Sequence, residues 1–244
     1  MNNKYSQEDL KEMYTTEDVY KWMEIQSESE KSHPEYSIYK MQTSRLKRLI
    51  PHLKFDKNDN VAEFGCGNGI FADMIFNKIK TYTGVDFSKD FIELAKKRHK
   101  KLNIDNCKFI GADIIEFSVN HKAEFDEAYS IDFTEHIYDE DFIKIFRAIK
   151  NTLKIGARLS IHTPNKDFIL ELLKEKGILP QQKEHIAVRN FEEYKKLLRQ
   201  LGYREIKVKY ISHYIPILIK LHKLSHIPII GKFFKARLLI ECIR

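Results

Sequence analysis

From about Asp59 onward the apolar positions switch between two periods. Short runs rich in β-branched and aromatic residues read as strands: Asn60-Val-Ala-Glu-Phe, Thr81-Tyr-Thr-Gly-Val-Asp, Cys107-Lys-Phe-Ile-Gly, Phe125 to Ile131 and Ala157 to His162. Between them lie stretches with helical spacing. Ile70 to Ile79 follows the first strand, a helix capped by Ser88 and running to about Leu102 follows the second, and Asp139-Glu-Asp opens an amphipathic helix with acid at its positive end. Phe191 to Leu201 reads as a further helix closed by Gly202, and Tyr203 to Ser212 and Ala236 to Ile243 as two last strands. Upstream, Val19, Trp22, Met23 and Ile25 recur at rough helical spacing. His33-Pro34 interrupts them, because the residue before proline avoids the α region, and a second helix carries Ile38, Met41, Leu46, Leu49 and Ile50.

Strands alternating with helices predict an α/β fold: Rossmann-like, doubly wound, with a mostly parallel seven-stranded sheet and an amino-terminal helical extension. The expected organisation is a helical cap over residues 1–55, a core over 56–212, and a basic apolar insertion with the last strand over 213–244. Ligands in such sheets bind at the carboxyl ends of the strands, beside the switch in strand order.

Candidate chemistry gathers at those strand ends. Gly65, Cys66, Gly67, Asn68 and Gly69 link the first strand to its helix, and glycine lets a backbone turn tightly and approach a ligand. The sixth position of the loop is Ile70, which departs from the GxGxxG/A dinucleotide fingerprint and counts against NAD or FAD. Glu63 lies just before the turn. Asp86 ends the second strand 21 residues after Gly65, where a carboxylate can accept both hydroxyls of a ribose. Asp113 follows the third strand and can accept from an exocyclic amine. Three carboxylates at three strand ends suit a cationic ligand.

The ordered series Glu63-Phe-Gly-Cys-Gly-Asn-Gly, Gly84-Val-Asp-Phe-Ser, Gly111-Ala-Asp-Ile and Phe125-Asp-Glu-Ala-Tyr-Ser-Ile resembles motifs I to IV of the class I S-adenosylmethionine-dependent methyltransferases, over about residues 40–212. The resemblance implies S-adenosylmethionine as cofactor and S-adenosylhomocysteine as product. By it, Glu63 and the glycine loop hold the methionine portion and Asp86 the ribose. Phe87 lies beside the adenine, Asp113 and Ile114 take its edge, and Ile131 lines the floor. Arg45 stands where quinone-biosynthesis O-methyltransferases place an arginine on the cofactor carboxylate.

Methyl transfer from a sulfonium is an in-line displacement that depends on positioning, and an alcohol acceptor must also lose a proton. Asp132, Glu135 and His136, just after the fourth strand, are the catalytic candidates, with His136 as base. The segment resembles the Glu-x-x-Glu-His of the quinone enzymes, some of which are associated with a divalent metal. Asp132 replaces the first glutamate here, and no metal is expected. His162, in His-Thr-Pro-Asn, and His185 are the substrate candidates. The expected reaction is O-methylation of a small metabolite: a sugar, a sugar nucleotide or a quinol-type ring. An N-methyltransferase or a non-catalytic cofactor-binding partner or sensor are the alternatives.

Charge adds one asymmetry. The net charge is +7, and residues 201–244 alone hold nine Lys/Arg against two Asp/Glu. A nucleic-acid partner is not expected, because the surplus is confined to this tail and the fourth motif lacks an Asn/Asp-Pro-Pro-Tyr/Phe signature. Residues 214–235 are apolar and basic. They read either as a lid or dimer face with solvated lysines, the default, or as a peripheral surface for anionic lipid or a lipid-linked substrate. Oligomeric state is left open. Three scattered cysteines, no signal-like start and no apolar run near the length of a membrane span predict a cytoplasmic protein.

Overall fold

The structure, a computed structural model, describes residues 36–180 and 185–244. The expected helix around Trp22 and the break at His33-Pro34 lie outside the described residues, as does most of the expected cap. Its remaining part is α1 (Tyr36–Leu49), which ends in a 3-10 turn holding Pro51.

The chain then alternates as expected: β1 (Asn60–Phe64), α2 (Ile70–Ile75), β2 (Thr81–Asp86), α3 (Lys89–Lys101), β3 (Cys107–Gly111), α4 (Ile114–Asn120), β4 (Phe125–Ile131), α5 (Asp139–Thr152) and β5 (Leu153–Pro164). After it come α6 (Ile169–Glu175), α7 (Phe191–Gln200), β6 (Arg204–Ile211), α8 (Pro216–Leu221) and β7 (Arg237–Ile243). Local chemistry sets several boundaries. Ser88 caps α3 by accepting from the Phe91 amide at 3.4 Å. Asn190 and Glu193 form a reciprocal capping box on α7.

Three details differ from the sequence expectation. α2 is shorter, passing into a 3-10 turn at Phe76. β5 starts four residues early, because a bulge lets Leu153 pair with Phe125 before Gly156, at φ +82°, resets the register. The short helices α4 and α6 were not foreseen; each spans only seven residues, too few for a clear period.

The sheet order is β3-β2-β1-β4-β5-β7-β6. β7 is antiparallel to both neighbours and every other pairing is parallel. Alternate strand residues feed two cores. Ala62, Phe64 and Val85 join Phe117 of α4, Phe146 of α5 and Leu198 of α7 on one face. Val61 and Tyr82 join Leu49 of α1, Phe71 of α2 and Ala95 of α3 on the other. The strand order reverses between β1 and β4, so the carboxyl ends of β1, β2 and β4 frame one crevice. Because β6 runs parallel to β5, the 212–236 connection leaves and rejoins the sheet on that same rim.

Candidate active site

The rim opens into a cleft of about 900 Å³, counting its mouth, on the scale of small-molecule sites. Of the residues singled out in the sequence, Gly65, Gly67, Asp86, Phe87, Asp113, Ile114, Asp132 and His136 line it. Four segments are thereby brought together: the loop after β1, the starts of α3 and α4, and the segment after β4.

Asp86 organises one end of the cleft. One carboxylate oxygen accepts from the Gly67 amide at 2.8 Å and the other from the Ser88 amide at 2.9 Å. The side chain thus ties the glycine loop to the start of α3. Burial pushes its pKa up to about 6, against the pull of those two amides. Each oxygen retains an acceptor direction for a ligand hydroxyl. Asp113 caps α4 through the Ile115 amide at 2.8 Å and presents its remaining acceptors to the cleft. Gly65 has φ +77°, and a Cβ there would lie 2.7 Å from the Phe133 ring. No other residue type fits that turn without displacing Phe133.

The rest of the loop is behind the cleft wall. Glu63 is buried and accepts from the Tyr82 hydroxyl; burial raises its pKa to about 8. Cys66, Asn68, Gly69 and Ile131 do not line the cleft. The Asn68 carbonyl accepts from Arg98, a fully buried arginine that also pairs with Asp73 at 2.8 Å. Phe91, Ala112, Phe133, Ile137 and Ile145 line the cleft and were not foreseen. Phe133 had a signal, as an aromatic directly after a motif aspartate at a strand end. Ile137, just before α5, and Ile145, on it, had none, because apolar residues at such positions read equally well as core.

At the other end of the cleft most of the candidate residues are engaged with one another. Asp132 sits at φ +52°, its amide donating to the His162 carbonyl at 2.8 Å. Its carboxylate is held by Arg45, 2.7 Å away on α1, and by Arg237 at the start of β7. Two guanidiniums thus clamp the Asp132 carboxylate in place. Arg45 correspondingly spends its guanidinium on Asp132 and does not line the cleft. Glu135 also faces away from it. It is buried, accepts from Thr163 at 3.1 Å, and burial pushes its pKa up to about 7.

His162 accepts from Arg237 Nε at 3.1 Å within the wall. Burial, with Arg45 nearby, lowers its pKa to about 3, so it stays neutral. His185 packs edge-on against His136 with ring centroids 5.1 Å apart and lines a separate groove with Lys166, Glu171 and Glu175. Burial lowers its pKa to about 3, with the neighbouring His136 imidazole as a further cause. Of the expected catalytic and substrate residues, His136 and the clamp Asp132 face the cleft. Glu135, His136 and His185 each offer one ligand atom, all within 4.8 Å of one another. These imidazole-rich donors suit a borderline divalent ion, and they differ from the Asp132-containing set that the sequence brought to mind.

Residues 55–210, well over half of the chain, match the family model described as a methyltransferase domain. The chain belongs to the methyltransferase family. The expectation of a class I S-adenosylmethionine-dependent methyltransferase, with S-adenosylmethionine as cofactor, stands with it. The methyltransferase is 23% identical over 187 residues to a ubiquinone biosynthesis O-methyltransferase of Paracidovorax citrulli, covering 74% of this chain and 71% of that protein. Two solved structures share its fold. Geranyl diphosphate C-methyltransferase from Streptomyces coelicolor A3(2), bound to Mg2+, geranyl diphosphate and S-adenosyl-L-homocysteine, aligns with TM-score 0.60 at 16% identity, over 85% of this chain and 80% of that one. Phosphoethanolamine N-methyltransferase 2 of Haemonchus contortus, with S-adenosyl-L-methionine, aligns with TM-score 0.62 at 19% identity, over 83% and 52%. These relatives methylate oxygen, carbon and nitrogen, so kinship leaves the acceptor atom open.

Proposed function

We propose that this methyltransferase transfers the methyl group of S-adenosylmethionine to a hydroxyl of a small metabolite in the cytoplasm, with His136 as general base. The observation that carries the reading is that His136 shares one cleft with Asp86, Gly65 and Gly67. In this reading Asp86 and Gly67 seat the adenosyl group, and Asp113 and Ile114 meet the base edge. His136 takes the acceptor proton as the C–O bond forms and the C–S bond breaks. Phe133 and Ile137 keep the reacting atoms from water. Base catalysis at His136 needs no metal; were a divalent ion to be held on this rim, Glu135, His136 and His185 would be its donors.

The free state of Cys66, Cys107 and Cys242 supports a reducing compartment. No helix among the described residues is long and apolar enough to cross a membrane. The experiment is His136→Ala, assayed with labelled cofactor and fractionated cell extract. Turnover is expected to fall by about 10²–10⁴-fold, with cofactor affinity unchanged. Retained turnover refutes the base assignment and favours an amine acceptor, which needs less help in losing a proton. Tight cofactor binding with no product from any fraction indicates a sensor or partner protein.

A further inference from the structure

We propose that residues 214–235 form a docking face for an anionic lipid bilayer, seating the active-site rim against the membrane. The structure does not fold this insertion down as a packed lid. Ile217 is 70% and Ile229 89% exposed, and Ile215, Ile227 and Ile230 are also exposed. Single exposed apolar residues are ordinary, but five isoleucines within sixteen residues form a patch that water disfavours.

The backbone holds the patch out at a conformational cost. The Ile230 amide donates to the Pro228 carbonyl at 2.8 Å, closing a three-residue γ-turn around Ile229, which sits at φ +67°. Glycine or asparagine suits such a turn; a β-branched residue is strained there. An apolar side chain kept at a strained and nearly fully exposed tip makes sense when it enters an apolar medium.

Charge identifies that medium. No Asp or Glu occurs from Ile206 to Ile240, while Lys220 and Lys223 on one side and Lys232 and Lys235 on the other flank Ile227, Ile229 and Ile230. Beside the patch, α1 and the segment's first residues enclose a groove of about 860 Å³ that holds Ser44, Lys47, Arg48, His52 and Tyr214. Hydroxyls and cations without a carboxylate suit lipid phosphate. Lysines next to an anionic leaflet each strengthen binding by about fivefold. Position completes the argument. The insertion connects the end of β6 to the start of β7, where Ile211 pairs with Arg237, the residue that holds Asp132 in the cleft wall. A protein docked by this face presents its cleft to the bilayer surface. On the methyltransferase reading above, the acceptor is then amphiphilic or lipid-linked.

The test is co-sedimentation of the full chain with vesicles of phosphatidylcholine containing about a third phosphatidylglycerol, against phosphatidylcholine alone, in about 0.1 M and about 1 M salt. Binding is expected on the anionic vesicles, at least about tenfold weaker on the neutral ones or in high salt. Ile229→Gly is expected to weaken it about tenfold without lowering the melting temperature, because glycine relieves the turn. Lys220→Glu with Lys223→Glu is expected to weaken it by more than tenfold. Equal binding to neutral vesicles, no binding, or binding insensitive to both variants overturns the proposal. So does self-association that Ile229→Gly abolishes in the absence of lipid, which makes the face a contact between two copies. Cofactor titration in solution reads the methyltransferase assignment separately.

Discussion

Replacing Asp86 with alanine probes the arrangement on which the cofactor end rests. The carboxylate spends one acceptor direction on each backbone amide, those of Gly67 and Ser88, and keeps one per oxygen for the two ribose hydroxyls. With its pKa near 6 it is ionised at pH 7.5, so hydrogen bonds from a ribose in the proposed seat would be charge-assisted. At about 1.5–3 kcal/mol each, their loss amounts to ~3–6 kcal/mol, or a dissociation constant weaker by ~10²–10⁴-fold. The assay is isothermal titration with S-adenosylhomocysteine and with an analogue lacking both ribose hydroxyls. The wild-type protein should lose most of its affinity for the analogue, and Asp86→Ala should hardly tell the two apart, a coupling of about 3 kcal/mol in the cycle. The variant also strands two amides, so Asp86→Asn, which keeps the shape and one acceptor, serves as the folding control. Unchanged affinity in Asp86→Ala, or equal discrimination by both proteins, would refute the assignment of Asp86 to the ribose.

Two further predictions follow from buried charge. Glu63, Glu135 and Asp86 have pKa values raised to about 8, 7 and 6, so the folded protein holds protons that the unfolded chain releases near pH 4, and their contribution to stability falls as pH rises from about 4 to 8. His162 and His185, lowered to about 3, act in the opposite sense, with stability gained as pH rises from about 3 to 6.5. Above about pH 6.5 the histidines no longer contribute, and Glu63 and Glu135 alone make the cofactor-free protein lose stability toward pH 8; a melting temperature rising steadily from pH 6.5 to pH 8 would contradict the burial of these carboxyls. Arg237→Met removes the hydrogen bonds to Asp132 and His162 while Arg45 keeps Asp132 paired, and is expected to destabilise the protein by about 1–3 kcal/mol, read by urea unfolding; no measurable loss would show that the clamp is solvent-screened.

The legible part of the site was its local part. Strand, glycine turn, aspartate and helix cap are set by neighbouring residues, and motif order along the chain becomes loop order along a parallel rim. Hence Gly65, Gly67, Asp86, Asp113 and His136 meet in one cleft as expected. The reacting end depended on long-range pairing. Arg237 lies 105 residues from Asp132 and carries no local mark distinguishing it from any strand arginine.

What the sequence determined by itself is therefore the periodicity, the doubly wound α/β architecture and the glycine turn with its neighbouring aspartates, because each follows from short-range spacing and backbone permission. Only the tertiary structure decided which polar groups near the cleft are spent on one another. It paired Asp132 with Arg45 and Arg237, buried Glu135 and His162 behind the wall, and left five isoleucines of the 214–235 segment facing water. Those outcomes depend on which distant side chains compete for the same partner and on what covers an apolar surface, and neither is written in the spacing of residues along the chain.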